Sequence, residues 1–113
     1  MTILESVFKE TFFLDYPQIR IDDNKNSFML PMHQEIFGQM SKKLLTLWCP
    51  LTDVSKKNGT LTIQSDSHKM GTLDHEFIYL NNKRHHAVKK KYINKKKIKH
   101  FSLKSGDIVL FDP

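Results

Sequence analysis

Apolar residues recur at helical intervals in the first segment of the chain. The apolar side of this segment is formed by Leu4, Val7, Phe8 and Phe12. This spacing is typical of an amphipathic helix, and Thr2 and Glu5 stand at the spacing of a capping box. Pro17 ends the pattern, because proline disfavours helix at the residue before it. The sequence therefore predicts a helix over Thr2–Leu14, within an N-terminal unit of residues 1–16.

Short strands are predicted after a polar turn at residues 22–26. The predicted strands are Ser27–Gln34, Leu44–Leu51, Thr60–Gln64, Ile98–Leu103 and Asp107–Phe111. The first strand alternates apolar and polar residues, as a strand with one buried face does. The second is nearly all apolar, which is expected of a strand covered on both faces. Asn58-Gly59 and Lys104-Ser105-Gly106 are predicted to form turns before the third and fifth strands.

Residues 68–94 have weak periodicity, which predicts an irregular insertion or a lid between the third and fourth strands. A series of short strands with glycine-marked turns argues for a sandwich or a barrel. The expected fold is mainly β with an N-terminal helix, and a chain of 113 residues has room for one domain.

The composition is that of a soluble globular protein, with 39% hydrophobic and 27% charged residues. No apolar run approaches the roughly 20 residues that span a bilayer, and no signal peptide is evident, so no membrane association is expected. Cys49 is the single cysteine, which excludes an internal disulfide. A reducing, cytoplasmic location fits this composition.

The net charge of +6 comes almost wholly from lysine, concentrated between Lys83 and His100. These lysines could neutralise the phosphates of a nucleic acid, or they could simply form a solvated surface. Only Arg20 and Arg84 are arginines. Because arginine makes the bidentate contacts to phosphate and guanine, its scarcity argues against specific nucleic-acid binding.

His33 and Glu35 are the residues with the clearest chemical potential. On a strand, residues two apart project from the same face, which would place an imidazole beside a carboxylate. Together they form two-thirds of the facial triad of two histidines and one carboxylate that holds non-haem Fe(II). Taken alone, the pair is better explained as a chance arrangement on a solvated strand.

The surrounding motifs resemble those of the phytanoyl-CoA dioxygenase family of Fe(II)- and 2-oxoglutarate-dependent oxygenases. The segments that carry the resemblance are "MHQE" at Met32–Glu35, "LTLWCPLTDVSKKNGTLTIQSDSHKMG" at Leu45–Gly71 and "LKSGDIVLFDP" at Leu103–Pro113. They correspond, in order, to the family's H-x-D pair, its tryptophan strand with N-G-x-L, and its G-D-x-V-x-F strand. The resemblance covers about three-quarters of the chain.

This resemblance implies a double-stranded β-helix, the jelly roll of the cupins, incomplete at the C-terminus. It implies that His33 and Glu35 bind Fe(II), and that Gln34 and Trp48 lie beside 2-oxoglutarate. An indole can exclude water from such a site, and an amide can donate to a carboxylate. For Trp48, a place in the core is an equally good interpretation.

Three features depart from the family pattern. Glu35 replaces the usual aspartate, and His68 follows Gln64-Ser65-Asp66 instead of a proline-glycine start, so His68 is expected to anchor a loop. The family's second iron histidine and its 2-oxoglutarate arginine follow the G-D-x-V-x-F strand, beyond Pro113. The remaining histidines, His75, His85, His86 and His100, all precede that strand. The sequence therefore looks like a fragment that binds iron weakly and has doubtful activity.

The leading hypothesis is a dioxygenase that hydroxylates a small-molecule or acyl substrate, with Fe(II) and 2-oxoglutarate as cofactor and co-substrate. A non-catalytic cupin-like module that binds a ligand is the alternative. A small basic protein that binds nucleic acid is a third hypothesis, but it does not explain why the N-G-x-L and G-D-x-V-x-F motifs are present. An incomplete barrel would also expose sheet edges, which predicts self-association.

Overall fold

The computed structural model describes residues 5–6, 17–21, 29–35 and 45–112. In these residues it contains six strands: β1 Thr46–Trp48, β2 Thr62–Gln64, β3 His75–Leu80, β4 Lys83–Val88, β5 Ile98–His100 and β6 Val109–Phe111. Three short 3-10 helices, Ser67–Met70, Lys90–Tyr92 and Lys95–Lys97, connect them. Glu5 and Ser6 are helical, and the rest of the predicted helix Thr2–Leu14 lies outside the described residues.

The six strands form three antiparallel pairs that are nested in the sequence. β3 pairs with β4, β2 with β5 and β1 with β6. Between the outer pairs, Val54 and Leu103 exchange two backbone hydrogen bonds of 2.9 Å. The described chain therefore follows the course of one long hairpin, in which each outer pair encloses the pair inside it.

The innermost hairpin turns at Asn81-Asn82, where both residues have positive φ angles of 49° and 60°. A two-residue turn of this kind matches the right-handed twist of the flanking strands, and asparagine tolerates the left-handed region. The prediction that residues 68–94 are irregular is therefore wrong for the hairpin of β3 and β4, and their place as an insertion stays a prediction. The periodicity of apolar residues in this region is weak because the hairpin leaves large side chains such as Phe77 and Tyr79 exposed to solvent.

Two predicted strands are wrong in part. Residues 29–34, expected within Ser27–Gln34, form no strand, although Val88 N donates a 2.7 Å hydrogen bond to the Met32 carbonyl. Of Leu44–Leu51, only β1 is a strand in the described residues, and it is not covered on both faces, since Leu47 is 40% exposed.

The other predicted strands and turns are confirmed, with shorter strands than expected. β2 lies within Thr60–Gln64, β5 within Ile98–Leu103 and β6 within Asp107–Phe111. Gly59 has φ of 92° and Gly106 has φ of 88°, both in the region that favours glycine. The chain is thus mainly β in the described residues. No helix among them is long and apolar enough to cross a membrane.

Gln64, at the end of β2, is a buried polar side chain, 6% exposed. Its amide nitrogen donates to the Tyr92 carbonyl at 3.1 Å, and its amide oxygen accepts from Asn94 N at 2.7 Å. Burying an amide costs free energy unless its hydrogen bonds are made, and here both ends of the amide are bonded. Gln64 therefore binds the segment between the second and third 3-10 helices to the strand pair β2–β5.

We expect the substitution Gln64→Leu to destabilise the protein. The leucine fills the space but leaves the Tyr92 carbonyl and the Asn94 amide without their partner, a cost of about 1–3 kcal/mol. The measurement is the free energy of unfolding from denaturant titration. Gln18→Leu, the same change at an exposed position, is the control and should leave that free energy within about 0.5 kcal/mol. Equal stability of the two variants would contradict the role of Gln64.

Candidate metal site

His33 and Glu35 lie side by side in the segment of residues 29–35, which precedes β1 in the sequence. Nε2 of His33 is 3.1 Å from Oε1 of Glu35. The two side chains meet as the sequence predicts, although not on a strand. The backbone of residues 31–35 is irregular, and the pair is half-exposed. The contact therefore depends on how this segment is held, and not on the alternation of a strand.

The hydrogen bond between the two side chains shifts both pKa values. It raises the pKa of His33 above its usual value of 6.5, helped by the hydrogen bond to the Pro31 carbonyl and opposed by partial burial. It lowers the pKa of Glu35 below its usual value of 4.5, again against partial burial. The pair is thus most stable as an imidazolium beside a carboxylate.

The same geometry fits two neighbouring ligands of a metal ion. Nδ1 of His33 donates to the Pro31 carbonyl at 2.7 Å. This hydrogen bond fixes the ring and, in the neutral imidazole, leaves the lone pair on Nε2, which is the arrangement usual for histidine ligands. Two ligands at right angles with metal bonds of about 2.1 Å lie roughly 3 Å apart. The separation of Nε2 and Oε1 matches that value.

A third protein ligand is not evident in the part of the chain that the structure describes. Among those residues there is no group of three or more histidine, cysteine, aspartate or glutamate side chains that could hold a metal ion. The described site therefore offers two donors, one nitrogen and one oxygen.

Hydrogen bonds to β3, β4 and the loop before β3 hold the His33–Glu35 segment in place. Gln34 N donates to Nε2 of His75 at 3.2 Å, next to the Val88–Met32 backbone bond. His75 in turn donates from Nδ1 to the Leu73 carbonyl at 2.9 Å. Because the carbonyl can only accept, the ring proton lies on Nδ1 and the Nε2 lone pair is used by Gln34. His75 is therefore a positioning residue and not a ligand in this conformation.

The Gln34 side chain also takes part in this attachment. Its amide nitrogen donates to the Gly71 carbonyl at 2.9 Å, and its amide oxygen accepts from Leu73 N at 2.8 Å. The sequence predicts Gln34 as a neighbour of 2-oxoglutarate. In the structure its amide bridges two backbone groups of the loop before β3, and one of its two amide hydrogens remains for another acceptor.

Trp48 lies apart from this segment in the strand order. It is half-buried at the end of β1 and pairs with Val109 of β6, whereas residues 32–34 attach to the β3–β4 hairpin. Its predicted place beside 2-oxoglutarate stays a prediction.

The remaining histidines occupy ordered positions. His68 is exposed in the first 3-10 helix, and His100 of β5 bonds through Nδ1 to the Thr62 hydroxyl at 3.1 Å. His85 and His86 lie on β4, with the His86 ring edge-on to Phe77 at 4.4 Å between centroids. His75 was the histidine that sequence reasoning missed, since only the pairing of β3 with β4 places it beside Gln34.

We expect the contribution of the His33–Glu35 pair to stability to depend on pH. The raised pKa of His33 gives stability that is present below pH 6.5 and is lost as the pH rises through the raised value. The lowered pKa of Glu35 gives stability that is present above pH 4.5 and is lost as the pH falls through the lowered value. The contribution is therefore largest between these two pH values.

The measurement is the free energy of unfolding of the metal-free chain across pH 3–9, together with an NMR titration of the His33 ring. Glu35→Gln should bring the pKa of His33 down towards 6.5 and flatten the pH dependence. Glu76→Gln, a change at an exposed glutamate on β3, is the control. An unchanged His33 titration in Glu35→Gln would show that the pair does not form in solution.

Comparison with known proteins gives one family. The model of the family described as phytanoyl-CoA dioxygenase matches residues 9–113. No curated protein and no solved structure matches the chain. The family lies in the superfamily of Fe(II)- and 2-oxoglutarate-dependent oxygenases, and its members typically use both. Since the match covers almost the whole sequence, including His33, Glu35 and the final strand, the chain belongs to the phytanoyl-CoA dioxygenase family.

Proposed function

We propose that the chain is an Fe(II)- and 2-oxoglutarate-dependent dioxygenase domain in which His33 and Glu35 are iron ligands. The observation that supports this most is the contact between His33 and Glu35, with the second ring nitrogen of His33 bonded to the Pro31 carbonyl. A family member is expected to place a histidine and a carboxylate together at this motif. Bound Fe(II), with 2-oxoglutarate and O2, would supply the oxidising power to hydroxylate a carbon–hydrogen bond.

The protein's own contribution is to hold donors and exclude water. His33 and Glu35 would bind the metal from one side and leave the remaining positions open. Gln34 has an amide hydrogen left to donate to a 2-oxoglutarate carboxylate, and Trp48 is proposed as an apolar wall.

The nested strand pairing supports the proposal of a jelly roll. A jelly roll is an antiparallel structure of two sheets that is formed by a folded long hairpin. The described strands β1 to β6 have the pairing order of such a hairpin. We propose that exposed strand edges favour self-association of the chain. We propose a cytoplasmic location and a small-molecule or acyl substrate, with no membrane and no specific nucleic acid as partners.

A second function, a non-catalytic cupin-like module that binds a ligand, is favoured by one observation. The described residues offer two metal donors instead of three, and these donors already satisfy each other. A module of this kind would use the His33–Glu35 pair to stabilise the loop and would bind no iron through it.

Fe(II) binding separates the two functions. In an anaerobic titration, we expect weak but saturable binding that is lost in His33→Ala and in Glu35→Ala, because each substitution removes one of two protein donors. His68→Ala and Glu76→Ala are exposed, matched controls that should bind as the unaltered chain does. Binding that survives both site substitutions, or no binding by the unaltered chain, would support the non-catalytic module.

His75 should tune this affinity without touching the metal. His75→Ala removes the acceptor for Gln34 N, and the freed segment should bind Fe(II) about 10–100-fold more weakly, as is typical for residues that orient ligands. His75→Gln offers an amide oxygen as a replacement acceptor and should restore part of the affinity. The titration should be read together with the His33 ring signals in NMR. An equal loss in both variants would show that His75 does not act through this hydrogen bond.

A further inference from the structure

The segment Lys89–Lys97, here called the lysine segment, has a defined structure. It contains six lysines in nine residues, arranged around Tyr92-Ile93-Asn94. The two groups of lysines correspond to the 3-10 helices Lys90–Tyr92 and Lys95–Lys97. Runs of lysine usually repel one another and remain disordered, so an ordered run needs an external constraint.

Two amides supply that constraint. The buried Gln64 bonds to the Tyr92 carbonyl and to Asn94 N, which fixes the middle of the lysine segment. The Asn94 side chain accepts from Lys96 N at 3.1 Å and caps the second 3-10 helix. The backbone between the two lysine groups is therefore held by the core, and the lysine side chains extend from a fixed base.

The charge of the lysine segment is only partly balanced. Asp74 pairs with Lys89 and Lys91 at 3.7 and 3.5 Å, and Asp66 pairs with Lys97 at 3.3 Å. Lys90, Lys95 and Lys96 are exposed, and in the described part of the chain no acidic side chain lies within ion-pair distance of them. A fixed excess of positive charge makes a surface that attracts anions.

A shallow cleft, widely open to solvent, is lined by Met70 and by residues 91–96 of the lysine segment. Its walls include the apolar parts of Met70, Tyr92 and Ile93, and its edge carries Lys91, Lys95 and Lys96. Cations around a concave surface suit a small anion that carries more than one charged group.

We propose that this cleft binds a small anion with two or more phosphate groups, held by Lys95 and Lys96 together with Lys91, which also pairs with Asp74. Lysine binds phosphate as a point charge, and three lysines that line one cleft can contact more than one phosphate. A nucleic-acid strand fits less well. The Tyr92 ring has Lys91 over it at 4.7 Å from the ring centre, and its hydroxyl donates to Asp74, so it is not free to stack on bases. This proposal does not depend on iron binding.

The test is calorimetric titration of the full chain with inorganic pyrophosphate at low salt. We expect saturable binding with one site per chain, which weakens as salt is added. Lys95→Gln/Lys96→Gln should weaken the affinity by about tenfold or more, because two charged contacts are lost. The matched control is Lys56→Gln/Lys57→Gln, which removes the same charge from two adjacent exposed lysines in the turn before β2. The control should stay within about twofold.

Further titrations test the class of ligand. Inorganic phosphate should bind more weakly than pyrophosphate, and a single-stranded oligonucleotide should not displace pyrophosphate at equal phosphate concentration. An equal loss in the two double variants would show that net charge alone attracts the anion and would overturn the proposal. An oligonucleotide that binds more tightly than pyrophosphate would overturn it too, in favour of a nucleic-acid surface. Thermal unfolding of each variant checks that the fold is retained.

Discussion

The candidate site depends on the attachment of residues 32–34 to the base of the β3–β4 hairpin. Three contacts make it: Val88 N to the Met32 carbonyl, Gln34 N to His75, and the Gln34 amide to the loop before β3. Each contact gives a polar group a hydrogen-bond partner that it would otherwise lack, so the segment has one preferred position. The positions of His33 and Glu35 follow from that attachment, because they flank the anchored Gln34 on both sides.

Because of this attachment, neighbouring residues of the segment have different roles. Gln34 binds the hairpin through its backbone N–H and the loop before β3 through its side chain, and the side chains of His33 and Glu35 beside it contact each other. In a regular strand the ladder of backbone hydrogen bonds would do the anchoring. Here the anchoring combines one backbone bond, from Val88 N to the Met32 carbonyl, with the side chains of His75 and Gln34, and a short irregular segment can thereby hold two donors in a fixed relation.

The sequence was sufficient to predict the family, the strands around β2, β5 and β6, and the meeting of His33 with Glu35. These depend on local signals: glycine turns, apolar runs and the motif itself. The β3–β4 hairpin was not predictable in the same way, because its side chains are largely exposed and do not alternate between apolar and polar. Asn81-Asn82 was a usable turn signal, and it was the one missed.

The roles of His75 and Gln64 could not be predicted because they arise from contacts between distant parts of the chain. Nothing near His75 indicates Gln34, and nothing near Gln64 indicates Asn94, until the strands are paired. A polar residue within a strand pattern predicts exposure, yet Gln64 is buried because two backbone groups of the lysine segment meet it. The roles of such residues can be recognised only from the tertiary structure, as expected where tertiary contacts override local preference.

The nested pairing has a consequence for the order in which the chain can fold. β3 and β4 are joined by two residues, so their association closes a very short loop, and it brings the ends of β2 and β5 closer together. Closing β2–β5 does the same for β1 and β6, which are far apart in sequence. Although the outer contacts are long-range, the entropy cost of each step is that of a short loop. The hairpin turn at Asn81-Asn82 is therefore the natural nucleus from which the pairing spreads outwards.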